Sequence, residues 1–297
     1  MITRKLMQMG SSTFVVSLPR EWIETNKLSK SDDVHFEKRG NDLVVKGKIN
    51  KEMEVNVDVS SMSYDLIWRH LICSYRKGAS IVNVKYDNQR RLKHVMKFIP
   101  DLMGWAIVKR NGDSVIIKDI APIENNDFED MFSKVFLLIL NVSEDTLKGI
   151  SEKDAEMLKN ISYSDYNINK FSNMCIRILN LRGIVYNTNS LYKIVSTLEE
   201  ISDEYRKLAT FFPPKDVNNE LLLIFRKTND LLKMYYDMFY SKNNINIREF
   251  HKKANYLLKD FRKFKGQTTK ETNAYVTLFT ILHLIKSLAE ENLVINI

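Results

Sequence analysis

Residues Thr3–Lys46 read TRKLMQMGSSTFVVSLPREWIETNKLSKSDDVHFEKRGNDLVVK. The stretch opens on a basic pair, Arg4-Lys5, and carries a β-prone run, Phe14-Val15-Val16-Ser17-Leu18, stopped by Pro19. Pro19 to Asn26 reads as a short helix, with proline where a first-turn N–H has no partner in any case. Two strands are expected next, Val34–Lys38 and Leu43–Lys46, joined through Arg39-Gly40-Asn41-Asp42. Gly and Asn in that turn tolerate the positive φ of a tight hairpin. Gly10 breaks the first strand and lets the backbone bend or bulge.

So short a module cannot bury a core alone. Chains below roughly 40–60 residues need a partner, a metal or a disulfide, and no cysteine lies here. Leu6, Phe14, Val16, Leu18, Trp22, Ile23, Phe36, Leu43 and Val45 must find cover elsewhere, and pairing with a second copy is the expected route. The pattern R-K-x-x-x-x-G, then S-T-x-x-V-S-L-P-x-x-W, then L-x-x-x-D-x-V runs through Arg4, Gly10, Ser12, Pro19, Trp22, Leu28, Asp32 and Val34. It resembles the SpoVT/AbrB swapped-hairpin family. The resemblance implies an intertwined homodimer whose strands present basic residues to double-stranded DNA. Arg4, Lys5 and Arg20 are the contact residues it implies, since cations neutralise phosphates with release of counterions and a dimer doubles each contact. A solvated sheet face is the alternative for them. Many relatives place a further basic residue just after the glycine. This chain has Ser11-Ser12-Thr13, and the hydroxyls and amides of Ser12 and Thr13 can still contact phosphate.

Length and charge set the wider frame. A chain of 297 residues has room for two or three domains. Its 44% hydrophobic and 28% charged residues suit a globular protein, and only 9 Gly and 5 Pro point to long helices. The net charge of +8 favours acidic partners, nucleic acid above all, although residues 1–50 carry only nine Lys/Arg against six Asp/Glu. Cys73 and Cys175 are far apart in apolar surroundings and read as buried free thiols of a reducing compartment. MITRKLMQMG lacks the apolar core of a signal peptide. The longest apolar run, around Val135–Val142, falls far short of the ~20 residues of a membrane span. A cytoplasmic protein without membrane insertion is expected.

Met53 to Ile120 reads as a small α/β unit. Its strands are Glu54–Val59, Ser80–Val84, Trp105–Val108 and Ser114–Ile117, and its helices Tyr64–Arg76 and Arg90–Phe98. Lys77-Gly78 is a helix stop and Asn111-Gly112 a strong hairpin signal. Arg90, Arg91, Lys93 and His94 read as a solvated helix face. From about Pro122 the period turns helical, with Phe128, Met131, Phe132, Val135, Leu138, Ile139 and Val142 on one stripe. Further helices are expected over Glu156–Leu181, closed by Arg182-Gly183, and over Leu191–Thr210 after an Asn189-Ser190 cap. After the break Phe211-Phe212-Pro213-Pro214, three more follow near Val217–Phe239, Ile245–Phe264 and Glu271–Asn292. Three helices, a proline break and three helices suggest a duplicated unit. The expected fold is thus multidomain α+β: a β module over 1–50, an α/β unit over 51–121, and an all-α domain over 122–297 whose two three-helix repeats meet near 211–216.

Inside the helical half, Leu198-Glu199-Glu200-Ile201-Ser202-Asp203-Glu204-Tyr205-Arg206-Lys207-Leu208-Ala209 resembles the PhoU signature L-E-R-I-x-D-H-x-x-N-I-A. Asp165-Tyr166-Asn167-Ile168-Asn169-Lys170-Phe171 is similar to that family's D-x-E-V-D-R-L segment, with Asn at both later acidic positions. In the second repeat, Ile285-Lys286-Ser287-Leu288-Ala289-Glu290 has lysine where the first carboxylate belongs. The order of modules is similar to archaeal phosphate-uptake regulators, and the two resemblances together cover most of the chain.

Glu199 and Asp203, four apart on a helix, face the same way. Two carboxylates so placed repel unless solvated or bridged by a cation, and oxygen ligands suit Mg, Mn, Fe or Ca. The PhoU resemblance implies a divalent or iron-type metal on Glu199 and Asp203, with Asp165 as a third ligand. Ordinary surface acids are the other reading. Lys286 puts a cation in the second repeat's cage, and Glu290 alone holds no metal. Lys252, Lys253, Lys259, Arg262, Lys263 and Lys265 read as a solvated helix face. The five histidines (His35, His70, His94, His251, His283) show no metal-ligand spacing, and no phosphate-binding glycine loop, G-x-S-x-G or H-E-x-x-H occurs. Nothing points to an enzyme. The expectation is a dimeric DNA-binding regulator tied to phosphate status. The alternative is an adaptor docking on a phosphate transporter or signalling protein, its front module serving only to dimerise.

Overall fold

Gly10, at φ +77°, turns the chain between β1 (Met7–Met9) and β2 (Thr13–Val15), which pair antiparallel with Met7 opposite Val15. The computed structural model describes residues 2–39, 42–47, 53–121, 127–182, 187–211, 218–240, 247–264 and 268–296. It divides into two compact units, Met1–Glu52 and Met53–Ile297. The boundaries expected near 50/51 and 121/122, the break near 211–216, the Gly40-Asn41 turn, Gly183 and Lys265 fall at or among residues outside that description.

In the first unit α1 (Arg20–Thr25) starts after Pro19, which occupies the cap rather than the first helical position. β3 (His35–Arg39) and β4 (Asp42–Lys46) form a second antiparallel ribbon, with Phe36 opposite Val45. Leu18, Trp22, Ile23 and Val45 are half-buried. Leu6, Phe14, Val16, Phe36 and Leu43 stay exposed within the unit, Leu6 at 67% and Phe14 and Leu43 at 61%.

The second unit begins with β5 (Glu54–Asp58), α2 (Tyr64–Lys77), β6 (Ile81–Lys85) and α3 (Gln89–Phe98). A hairpin of β7 (Trp105–Asn111) and β8 (Ser114–Asp119) follows. β5 and β6 are parallel, as a strand–helix–strand crossover requires. β8 inserts antiparallel beside β6, giving the order β5-β6-β8-β7. Ser63 caps α2 by accepting the Leu66 amide, and Asn88 caps α3 by accepting that of Arg91. Val57, Val82, Val84, Val115 and Ile117 from the strands join Ile67, Leu71, Leu92 and Val95 from the helices in the core. Cys73 departs from expectation. The buried face of α2 runs through Ile67, Leu71, Ser74 and Tyr75, so Cys73 falls on the outward face and is exposed, whereas Cys175 is buried.

Six long helices follow among the described residues: α4 (Asp127–Glu152), α5 (Ala155–Arg182), α6 (Thr188–Phe211), α7 (Asn219–Tyr240), α8 (Ile247–Lys263) and α9 (Thr269–Asn296). α4 runs ten residues beyond the predicted stripe to Glu152; Lys153 (φ +61°) follows, and Asp154 caps α5 by accepting the Glu156 and Met157 amides. α6 begins at Thr188, so Asn189 and Ser190 lie inside its first turn rather than capping it. A buried chain of hydrogen bonds joins three helices: Tyr205 donates to Asn229 Oδ1 at 2.8 Å, and Asn229 donates to the Ser143 carbonyl at 2.6 Å. No helix among the described residues is long and apolar enough to cross a membrane.

The sheet and the helices meet along α2 and α5. Gly78 ends α2 at φ +98°, the left-handed conformation that glycine adopts without a Cβ penalty. A Cβ there would lie 2.6 Å from Leu181 Cδ2 on α5. Nearby, Arg177 of α5 is 1% exposed. It donates to the carbonyls of Tyr75 (2.6 Å) and Ala79 (2.9 Å) and to Asp119 Oδ2 (2.6 Å). Its guanidinium lies 4.7 Å from the Tyr75 ring centre and 5.8 Å from that of Trp105. Removing one partner of a buried ion pair strands the other, at about 3–5 kcal/mol. Arg177→Met is therefore expected to lower unfolding free energy by about 3 kcal/mol, read from the urea midpoint at unchanged slope. Asp119→Asn, which keeps an acceptor, should cost less.

Candidate functional site

α5 and α6 lie side by side, and helical periodicity aims one polar stripe of each at their seam. From α5 come Asp165, Asn169 and Asn173; from α6 come Glu199, Ser202, Asp203 and Arg206. Asp165 is the most enclosed of the three acids, its side chain 7% exposed. Ser202 donates to its Oδ1 at 2.7 Å, and Asn169 approaches its Oδ2 at 3.4 Å. Arg206 completes the group. Its Nε lies 2.9 Å from Asp165 Oδ2, and its Nη2 donates to Asp203 Oδ1 at 2.9 Å. Asp165 and Asp203, predicted as metal ligands, are thus brought together around a guanidinium that the sequence reading did not single out. Its one local signal was the spacing of Asp203 and Arg206, three apart on one helix face.

Glu199 stands one turn before Asp203, and both line a cleft of about 230 Å³. Trp68 and Ile72 of α2, Asp101 of the 3₁₀ turn Ile99–Asp101, and Tyr166, Asn169, Lys170 and Asn173 of α5 line the rest. Tyr166 donates to Asp101, and Arg76 of α2 donates to Asn173 Oδ1 at 2.7 Å. Burial pushes the Glu199 carboxyl up to about 7, and the neighbouring Asp203 charge adds to the rise; Arg76 opposes it. Asp165 is also raised, because burial outweighs the help of Ser202 and Arg206. Arg206 is held more firmly charged, chiefly by its hydrogen bond to Asp203.

Whether these acids suit a divalent cation turns on Arg206. A metal site needs oxygen lone pairs converging on open space. Here the oxygens of Asp165 and Asp203 converge on a fixed cation of the same chain. Among the described residues no group of three or more His, Cys, Asp or Glu side chains is placed to hold a metal ion. As arranged, the expected ligand set does not fit a metal. In the second repeat Lys286 is half-buried on α9 and Glu290 is exposed.

The residues predicted to contact DNA lie in the first unit. Arg4 and Lys5 are exposed in the segment before β1; Ser12 sits in the turn after Gly10, and Thr13 opens β2, both exposed. Arg20 is 91% exposed and pairs with Glu24 one turn on, at 2.8 Å. On α3, Arg90 and Lys93 are exposed, while His94 meets the Tyr64 ring edge-on at 4.8 Å. On α8, Lys252, Lys253, Lys259, Arg262 and Lys263 are exposed.

No protein-family model matches the chain, and no curated protein matches it. Among solved structures it is similar to the phosphate transport system regulatory protein PhoU from Streptococcus pneumoniae. That likeness has 17% identity and a TM-score of 0.48, over 57% of this chain and 92% of that one.

The electrostatics of Glu199 give a signed prediction. A carboxyl raised from 4.5 to about 7 binds its proton more tightly folded than unfolded. Stability is therefore lost as pH climbs through that window. Glu199→Gln should unfold at a higher temperature than the natural chain at pH 8, by roughly 2–4 °C for each kcal/mol recovered. The difference should shrink as pH falls and close below about pH 4.5, as thermal melts across pH will read.

Proposed function

We propose that this chain is a dimeric DNA-binding regulator acting in the cytoplasm on phosphate uptake. The Met1–Glu52 unit contacts the duplex, and the helical half receives the signal. The reading assigns it no catalytic role. The observation that carries it is the first unit's surface. Leu6, Phe14, Phe36 and Leu43 are exposed there, beside exposed Arg4, Lys5 and Arg20. Apolar surface on so short a segment calls for a cover of matching shape, and a second copy of the same unit supplies one. Pairing two copies also doubles the cations available to the phosphates. The link to phosphate rests on the likeness of Leu198–Ala209 and Asp165–Phe171 to the PhoU signature. A partner or ligand that favours one arrangement of the helical half would alter the spacing of the paired front units, and with it operator affinity.

Gel shifts of genomic fragments at several salt concentrations test this reading. Affinity should fall linearly on logarithmic axes. Arg4→Ala/Lys5→Ala/Arg20→Ala should flatten that slope by up to about five, from six phosphate contacts per dimer. Sedimentation should give a dimer. Absence of any shift, together with retention of a phosphate-transporter subunit, would instead assign the chain to the docking role.

A further inference from the structure

We infer that Arg206 is the resident cation of the α5–α6 seam: its guanidinium occupies the place between Asp165 and Asp203 that a divalent ion would need, and the cluster holds together without metal. Three observations carry this. Asp165 and Asp203, on different helices, both reach within 2.9 Å of the one guanidinium. Asp165 is spoken for on its other oxygen as well, where Ser202 donates at 2.7 Å. And Arg76 of α2, held by its hydrogen bond to Asn173 of α5, bears electrostatically on Glu199. Two arginines thus stand against three carboxylates, leaving little uncompensated negative charge to attract a further cation.

The choice of residue suits the task. A guanidinium is planar and always charged, and it donates from separate nitrogens along fixed directions. Nη2 can therefore donate to Asp203 while Nε stays within ion-pair distance of Asp165, 2.9 Å from its Oδ2. A metal at this seam would be lost to chelators or exchanged with the medium; a side chain is not. Arg206 thereby fixes the register of α5 against α6 whatever the metal supply. The inference is independent of the DNA-binding proposal, because it concerns only contacts within the second unit.

Manganese titration of the full chain, followed by thermal unfolding and calorimetry, is the test. The natural chain should show no Mn²⁺-dependent rise in unfolding temperature and no change on exposure to EDTA. Arg206→Met, which keeps the aliphatic stem, should unfold earlier and bind Mn²⁺ at least about tenfold more tightly than the natural chain. Added Asp203→Asn should abolish that gain. Two results overturn the inference. One is Mn²⁺ binding by the natural chain that Asp203→Asn removes. The other is an Arg206→Met protein as stable as the natural one and no more responsive to Mn²⁺. Should Arg206→Met fail to fold, the natural chain against Asp203→Asn still decides, and Arg206→Lys should retain more stability than Arg206→Met.

Discussion

A guanidinium in the protein interior has to be satisfied on every side, and Arg177 is satisfied by three different parts of the chain. Two backbone carbonyls at the end of α2 and just beyond it, and a carboxylate at the end of β8, accept its protons. Tyr75 and Trp105 cover its faces. Those acceptors are correctly placed only when α2, β8 and α5 are docked together. Tyr75 adds its own ties, donating to the Met103 carbonyl and contacting Met174 Sδ at 3.1 Å. The sheet and helices of the second unit are joined by a specific polar lock as well as by apolar burial. The cleft beside Glu199 depends on it, since one wall comes from α2 and the other from α5 and α6.

Much of this was legible in the sequence, for physical reasons that can be named. The stripe from Phe128 to Val142 and its successors announce helices because burial on one face imposes a period that no other element shares. Gly78 and Asn111-Gly112 announce chain reversals because their backbone angles exclude most side chains. The placement of Glu199 and Asp203 on one cleft wall follows from a spacing of four. What the sequence hid were relations across distance. Arg177 and Asp119 are 58 residues apart, and nothing local distinguishes them from a surface arginine and aspartate. Cys73 shows the converse failure: its apolar neighbours in sequence suggested a buried thiol, but only one face of α2 turns inward.

Arg177 and Arg206 solve the same problem in different surroundings. Arg177 is enclosed, so its worth lies in the penalty for leaving it unpaired and in the specificity this imposes on docking. Arg206 is 41% exposed and sits where water competes, so its contribution is geometric: it sets which carboxylates share a neighbour.

The unequal surroundings of the two thiols have a practical side. Cys175 is sealed among α5 neighbours, and burial holds its thiol well above the usual range, while Cys73 faces solvent on α2. Thiolate, not thiol, reacts with electrophilic dyes, so a maleimide fluorophore should attach once per chain without any engineering. That native handle sits on the outward face of α2, away from the residues that α2 turns to the core.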